Sequence, residues 1–243
     1  MIPAHKRPVL EAAMAACNRR FLRKHFHAMW VGGEKHVAGL DRNIPVVLLG
    51  NHSCWWDPLV EFFFSHDVFG LDGYAMMDEK QLERYRFFRW IGVFSVRRES
   101  SRDAVVSLRY AASILDRPNR ALWIYPQGVM LPGDVRPLGF QTGIGRLAHM
   151  LARVQFVPFV HRYEFVGDQR PEVFTEYGQP FIPDGSVDVR GMVREVEEHV
   201  TAMLDDLRSR IARQDTGGFR NVLRGAPSTS TRWDRVRLLE EAS

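Results

Sequence analysis

Val46-Val47-Leu48-Leu49-Gly50-Asn51-His52-Ser53-Cys54-Trp55-Trp56-Asp57-Pro58 is the stretch from which the rest of the chain can be read. Its first five residues form a short apolar run closed by Gly, the pattern of a strand covered on both faces. Asp57 before Pro58 is a helix-start signal. The carboxylate can accept a helix N–H, and Pro lacks the donor that would be orphaned at the first helical position. The helix is therefore expected over 58–65. If His52 and Asp57 both lay in a helix, five residues would set them about 140° apart. They can meet only if the connection folds back, so the stretch predicts a strand, a tight turn and a helix, with both side chains facing the turn.

Strands and helices alternate around this unit. Strands are expected over 70–77, 93–96, 121–125, 156–161 and 173–177, and helices over 78–91, 101–115, 143–153 and 187–213. The last helix carries Met192, Val196, Val200, Met203, Leu204, Leu207 and Ile211 at helical spacing. This order predicts an α/β layered domain over 31–213, with a central, mostly parallel sheet flanked by helices and with sites outside the strand ends. Gly, Pro, Ser and Thr dominate 217–230, so 214–243 is expected to be a mobile tail.

Residues 8–29 read as an amphipathic helix within a separate N-terminal element, 1–30. Leu10, Met14, Cys17 and Phe21 share one line, Leu22, Phe26 and Met29 widen it, and Arg19, Arg20, Arg23 and Lys24 occupy the opposite arc. Two roles fit this pattern: a helix lying in a membrane interface, or one packed on its own domain with a solvated basic face. The net charge of +4 is concentrated here, because six Lys or Arg stand against one Glu before Ala28.

With 243 residues, 45% hydrophobic and 26% charged, the chain suits one globular domain. No apolar stretch approaches the roughly 18 to 20 residues that span a bilayer, and no secretory leader is legible, so a cytoplasmic protein is expected. Cys17 and Cys54 lie in unrelated contexts and imply neither a disulfide framework nor a metal site.

His52 and Asp57 resemble the His-x-x-x-x-Asp signature of the glycerol-3-phosphate and lysophospholipid acyltransferases, and further blocks of that family follow in order. Gly92-Val93-Phe94-Ser95-Val96-Arg97-Arg98 resembles the acceptor-binding block. Ile124-Tyr125-Pro126-Gln127-Gly128-Val129-Met130 resembles Phe-Pro-Glu-Gly-Thr-Arg, Phe140-Gln141-Thr142-Gly143 resembles Phe-Lys-x-Gly, and Val157-Pro158-Phe159-Val160 resembles the last block. The resemblance covers about 40–182 and implies an O-acyltransferase.

In that reading His52 is the general base for a lipid hydroxyl, and Asp57 fixes its tautomer and stabilises the imidazolium. An imidazole's ordinary pKa of about 6.5 suits the task. Arg97 and Arg98 would bind a phosphate or other acceptor anion. Gln127 and Gly128 would lie against substrate, with amides near Gly128 available to an oxyanion. The acyl donor is a thioester of coenzyme A or acyl carrier protein, used as substrate; no cofactor or metal is expected. The partners are membrane lipids and the acyl carrier, with no nucleic acid, and the family's lipid substrates favour an N-terminal helix docked on the cytoplasmic membrane face.

Departures from the family concern the acceptor. Gln127 replaces Glu, Val129 replaces Thr, Met130 replaces Arg and Gln141 replaces Lys, so two cations are missing where a phosphate would need them. The expected acceptor is a membrane lipid of the lysophospholipid type or, given these departures, one with reduced phosphate recognition: a non-phosphate glycolipid such as a glycosylated isoprenoid or carotenoid. Two other readings stay open: a thioesterase-like hydrolase with Cys54 or Ser53 as nucleophile, and a non-catalytic lipid-binding member of the fold. Trp55 and Trp56 are core or interface residues by type, and could line an acyl-chain entrance.

Overall fold

The computed structural model describes residues 1–97, 101–151, 153–183, 188–229 and 233. Eight strands form one sheet: β1 (Ala28–Gly32), β2 (Val46–Gly50), β3 (Asp72–Asp78), β4 (Val93–Val96), β5 (Arg120–Ile124), β6 (Gln155–Glu164), β7 (Glu172–Tyr177) and β8 (Arg220–Arg224). Their order across the sheet is β4-β3-β5-β2-β6-β7-β1-β8. The first five in that order are mutually parallel, as expected. β7 then runs antiparallel to β6, β1 parallel to β7, and β8 antiparallel to β1.

Alternate residues of β2 feed two cores. Val47 and Leu49 join Leu122, Phe156 and Val160 beneath α5 (Ser101–Leu115), α6 (Gly143–Met150) and α7 (Val189–Ala212). Val46 and Leu48 join Trp123, Val157 and Phe159 on the other face, beneath α1 (Pro8–His25) and α3 (Asp57–Phe63). Cover on both faces is why the β2 sequence is apolar throughout rather than alternating. Gly50 closes it because a Cβ there would lie 2.5 Å from Phe159. α7 opens at Asp188, whose carboxylate accepts the Arg190 and Gly191 N–H groups at 2.7 and 2.9 Å.

The ends of the chain depart from the sequence expectation. The N-terminal helix stops at His25, because Phe26 turns extended and 28–32 becomes β1 between β7 and β8. Nor is 1–30 a separate element. Ala15, Asn18 and Leu22 are buried, the Asn18 amide donates to the Leu59 carbonyl of α3 at 2.8 Å, and the packed face is rotated about one residue from the predicted line. Cys17 and Phe21, on the predicted line, remain exposed. The segment 214–243 is not simply a tail either: 220–224 is β8, and Leu223 is buried in the core beneath α1. Short polar strands of this kind lack the apolar alternation that marks a strand in sequence.

Two further differences matter for the site. The segment 78–91 divides into α4 (Glu79–Arg84) and a 3-10 turn, Arg86–Ile91. β6 continues three residues beyond the expected end because 159–164 pairs with β7 in an antiparallel ladder.

If β8 is an integral strand, Leu223→Ala removes a buried side chain and should cost about 3 kcal/mol. Urea unfolding measures this, and an unchanged midpoint would indicate a tail that contributes nothing to the core.

Candidate active site

His52 stands two residues past the end of β2, at the carboxyl end of the parallel strands. Asp57 opens α3, and its carboxylate faces the turn as expected, but the helix cap also expected of it is absent: no side-chain cap is made at this helix start. Asp57 Oδ2 lies 2.8 Å from His52 Nδ1 and accepts the Ser53 and Cys54 N–H groups at 2.7 and 3.0 Å. Oδ1 accepts the Tyr163 hydroxyl at 2.5 Å, with the Cys54 thiol at 3.5 Å. Asp57 is fully buried, so a fold-back that supplies these donors is what makes its charge tolerable there.

The loop after β5 holds the backbone of His52 from both sides. Gln127 Oε1 accepts the His52 N–H at 2.6 Å, and the Leu131 N–H donates to the His52 carbonyl at 2.9 Å. Gly128, at φ +69°, makes the tight turn between these contacts, and its own N–H donates to the Tyr125 carbonyl at 3.0 Å. The Tyr125 ring stacks on the imidazole, with centroids 4.1 Å apart and planes 15° apart. His52 Nδ1 faces Asp57, which leaves Nε2 as the nitrogen free for a substrate proton.

The expected site residues are thus only partly brought together. His52 and Asp57 meet. Gln127 and Gly128 are adjacent to them: the buried Gln127 side chain accepts the His52 N–H, and the Gly128 amide is engaged within its own turn. Arg97 lies at the end of β4, three strands from β2 and so roughly 14 Å away laterally. It pairs with Glu79, whose carboxyl is held down to about 2, chiefly by the Ser95 hydroxyl with the Arg97 guanidinium contributing. Arg98 lies outside the described residues.

Several residues of this cluster were not singled out from sequence. Asn51 clamps His161 of β6, accepting its N–H at 2.8 Å and donating to its carbonyl at 3.1 Å. Glu61, one turn after Asp57, places Oε1 3.7 Å from His161 Nε2. His161 follows directly on the last family-like block and ends the expected strand, and nothing in sequence showed that the strand continued through Tyr163.

The electrostatics separate these groups. Burial alone would raise the Asp57 carboxyl, but the hydrogen bond from His52, the neighbouring imidazoles and the Tyr163 hydroxyl outweigh it and hold Asp57 below the ordinary carboxylate value. Burial pushes Glu61 well above that value and pulls His161 down to about 4. Burial, with the Asp57 charge behind it, raises the Cys54 thiol to about 12. Burial thus works against charge on Cys54, Glu61 and His161, while Asp57 is held below its ordinary value by its hydrogen bonds.

The turn from β2 to α3 thus presents an imidazole oriented by a carboxylate at the carboxyl end of a parallel sheet. Residues 31–162 match the Acyltransferase family, more than half of the chain, so the protein belongs to that family and is an acyltransferase. In fold it is similar to the crystal structure of the 1-acyl-sn-glycerophosphate (LPA) acyltransferase PlsC from Thermotoga maritima. The TM-score is 0.58, with 17% sequence identity, covering 84% of this chain and 80% of that one. No curated protein matches the chain.

Glu61 gives a signed prediction. Its carboxyl is raised in the fold, so the folded protein holds a proton that the unfolded chain releases above the ordinary value of 4.5, and stability is lost as pH rises. Melting temperatures of the wild type should fall increasingly behind those of Glu61→Gln from pH 5 toward pH 8. Parallel curves would mean that the carboxyl ionises as freely in the fold as in the unfolded chain.

Proposed function

We propose that this acyltransferase moves a fatty acyl group from a thioester of coenzyme A or acyl carrier protein to a hydroxyl of a membrane lipid, with His52 as general base. The observation that carries the reading is the His52–Asp57 contact, 2.8 Å at Nδ1, which leaves Nε2 available. The acceptor oxygen attacks the thioester carbonyl as its proton passes to Nε2. Asp57 stabilises the imidazolium, and on collapse the C–S bond breaks and the leaving sulfur takes the proton. The oxyanion donors of this scheme are the Val129 and Met130 amides, which follow Gly128 on the loop that holds His52 and, among the described residues, donate no hydrogen bond.

The acceptor is a lipid without a phosphate at the reacting end, of the sugar-headed kind. Val129 and Met130 stand 49% and 54% exposed on the loop that holds His52, where the related sequences carry Thr and Arg. Arg97 is engaged by Glu79. A phosphate brought to this loop would thus lose water without gaining a guanidinium from it.

Membrane docking is part of the proposal. Trp55, 58% exposed, packs edge-on against Trp56 beside the catalytic turn, and Phe21 of α1 contacts both. Arg19 and Arg23 of α1 line a groove of about 560 Å³ with Arg220 and Arg224 of β8 and with Asp67, which pairs with Arg19, while Glu34 pairs with Arg220. Aromatic side chains bordered by arginines suit an anionic lipid surface on the cytoplasmic side. No helix among the described residues is long and apolar enough to cross a membrane.

A hydrolase with Cys54 as nucleophile is the weaker reading, because its thiol is raised to about 12 and stays protonated beside Asp57. A non-catalytic lipid binder has no need of a buried carboxylate aimed at an imidazole.

His52→Ala should lower turnover roughly a thousandfold and Asp57→Asn roughly a hundredfold, with both proteins folded. Acyl-CoA assays with vesicle-borne acceptors read this, and full turnover in both variants would remove the mechanism. In the same assay a neutral glycolipid should be acylated in preference to lysophosphatidic acid, and Met130→Arg should shift the ratio toward the phosphate. Efficient acylation of lysophosphatidic acid alone would overturn the acceptor assignment.

A further inference from the structure

Beneath the His52–Asp57 pair, α3 and β6 meet with matched spacing. Positions 57 and 61 are one helical turn apart, about 6 Å along the axis. Positions 161 and 163 are alternate residues on one face of the strand, about 6.6 Å apart. The match sets Tyr163 against Asp57 and His161 against Glu61, with contacts of 2.5 and 3.7 Å. The register of β6 is fixed independently of both contacts. Asn51 bridges the backbone of His161, Thr175 Oγ1 of β7 lies 2.8 Å from His161 Nδ1, and Tyr163 pairs with Val173 in the ladder.

We propose that Tyr163 is a positioning residue for the acyl-transfer pair: its hydroxyl ties Asp57 Oδ1 to β6, so that Oδ2 alone is presented to His52 Nδ1. The inference rests on the reading of His52 as base. Oδ2 has three donors, His52 and the two turn amides. Oδ1 has only Tyr163 and a thiol at 3.5 Å. Removing the phenol hydroxyl leaves a buried carboxylate oxygen with a weak sulfur donor, and more of the negative charge becomes available to the imidazole.

Among the described residues, only the Cys54 thiol, at 3.5 Å, shares Oδ1 with the Tyr163 hydroxyl. Cys54 approaches from the turn, Glu61 from its own helix, Tyr125 from the end of β5 and His161 from β6. Burial holds Glu61 and His161 toward their neutral forms and the Cys54 thiol and Tyr125 phenol in their protonated forms. The Tyr163 phenol is likewise raised by burial, so it is present as the hydroxyl donor.

The test is Tyr163→Phe in the full chain. The ring, which packs 5.9 Å from Phe26, is kept and only the hydroxyl is lost. Turnover should fall about tenfold with KM for donor and acceptor unchanged. The acid limb of the kcat/KM profile should move to higher pH, because the imidazolium is held by a less satisfied carboxylate. The Nδ1–H proton resonance of His52 should move as well, and that reading needs no activity. A folded variant with unchanged limb and unchanged resonance overturns the proposal, as does one whose turnover falls only in step with a lowered Tm. His52→Ala, assayed in parallel, separates the two ideas. If it keeps full activity, the base reading fails, and a shifted resonance in Tyr163→Phe still shows that the hydroxyl positions Asp57. If it is inactive while Tyr163→Phe behaves as wild type, the role of Tyr163 alone is lost.

Discussion

The rest of the structure depends on a buried carboxylate having enough donors. Asp57 is wholly removed from water and still holds its charge, which an isolated carboxylate could not do; without its partners it would take up a proton or leave the core. Its donors come from three places: the His52 ring and two amides of the same turn, and the Tyr163 hydroxyl across the sheet. A sheet in which β2 and β6 are neighbours, with α3 lying over them, is the arrangement that brings these together. The fold and the chemistry are in this sense one requirement, since the strand order that covers both faces of β2 also completes the hydrogen bonding of Asp57.

The same cluster explains why its many titratable groups do not compete. Glu61, His161, Tyr125, Tyr163 and Cys54 all lie close to Asp57, and each could draw charge from it. Burial penalises the charged form of every one, raising the acids and lowering the imidazole. Only Asp57 has enough hydrogen bonds to overcome that penalty. Desolvation thereby acts as a filter, concentrating the negative charge on the group that faces His52.

How far the sequence could be read follows from which forces are local. The β2-turn-α3 unit was legible because apolar run, turn and Pro lie within thirteen consecutive residues. α7 was legible because its periodic apolar positions are all met by one core. The aim of Asp57 toward the turn was legible in its five-residue offset from His52; the loss of its helix cap was not, since a carboxylate before Pro caps a helix unless other donors draw it elsewhere. β1 and β8 were missed for a related reason. Strand identity there comes from pairing with β7 and with each other, contacts nearly two hundred residues apart in β8's case. Tyr163 was hidden by the polar run His161-Arg162-Tyr163-Glu164, which reads as a strand end until β7 is placed beside it.

The loop that follows β5 shows how reaction and acceptor can be separated within one short segment. It grips His52 through a Gln127 side-chain oxygen and the Leu131 amide, so the base is held by one side chain and by backbone. A carboxylate at 127 would accept the same N–H, but it would add a second negative charge near Asp57, and an amide does not. Residues 129 and 130 lie between the two grips and point outward, free of any role in holding the imidazole. On the proposed reading, changing them would alter what meets the acceptor without disturbing the His52–Asp57 pair. Evolution of a new acceptor preference therefore has an inexpensive route in this fold: replace the outward side chains of the loop and leave its backbone contacts to His52 in place.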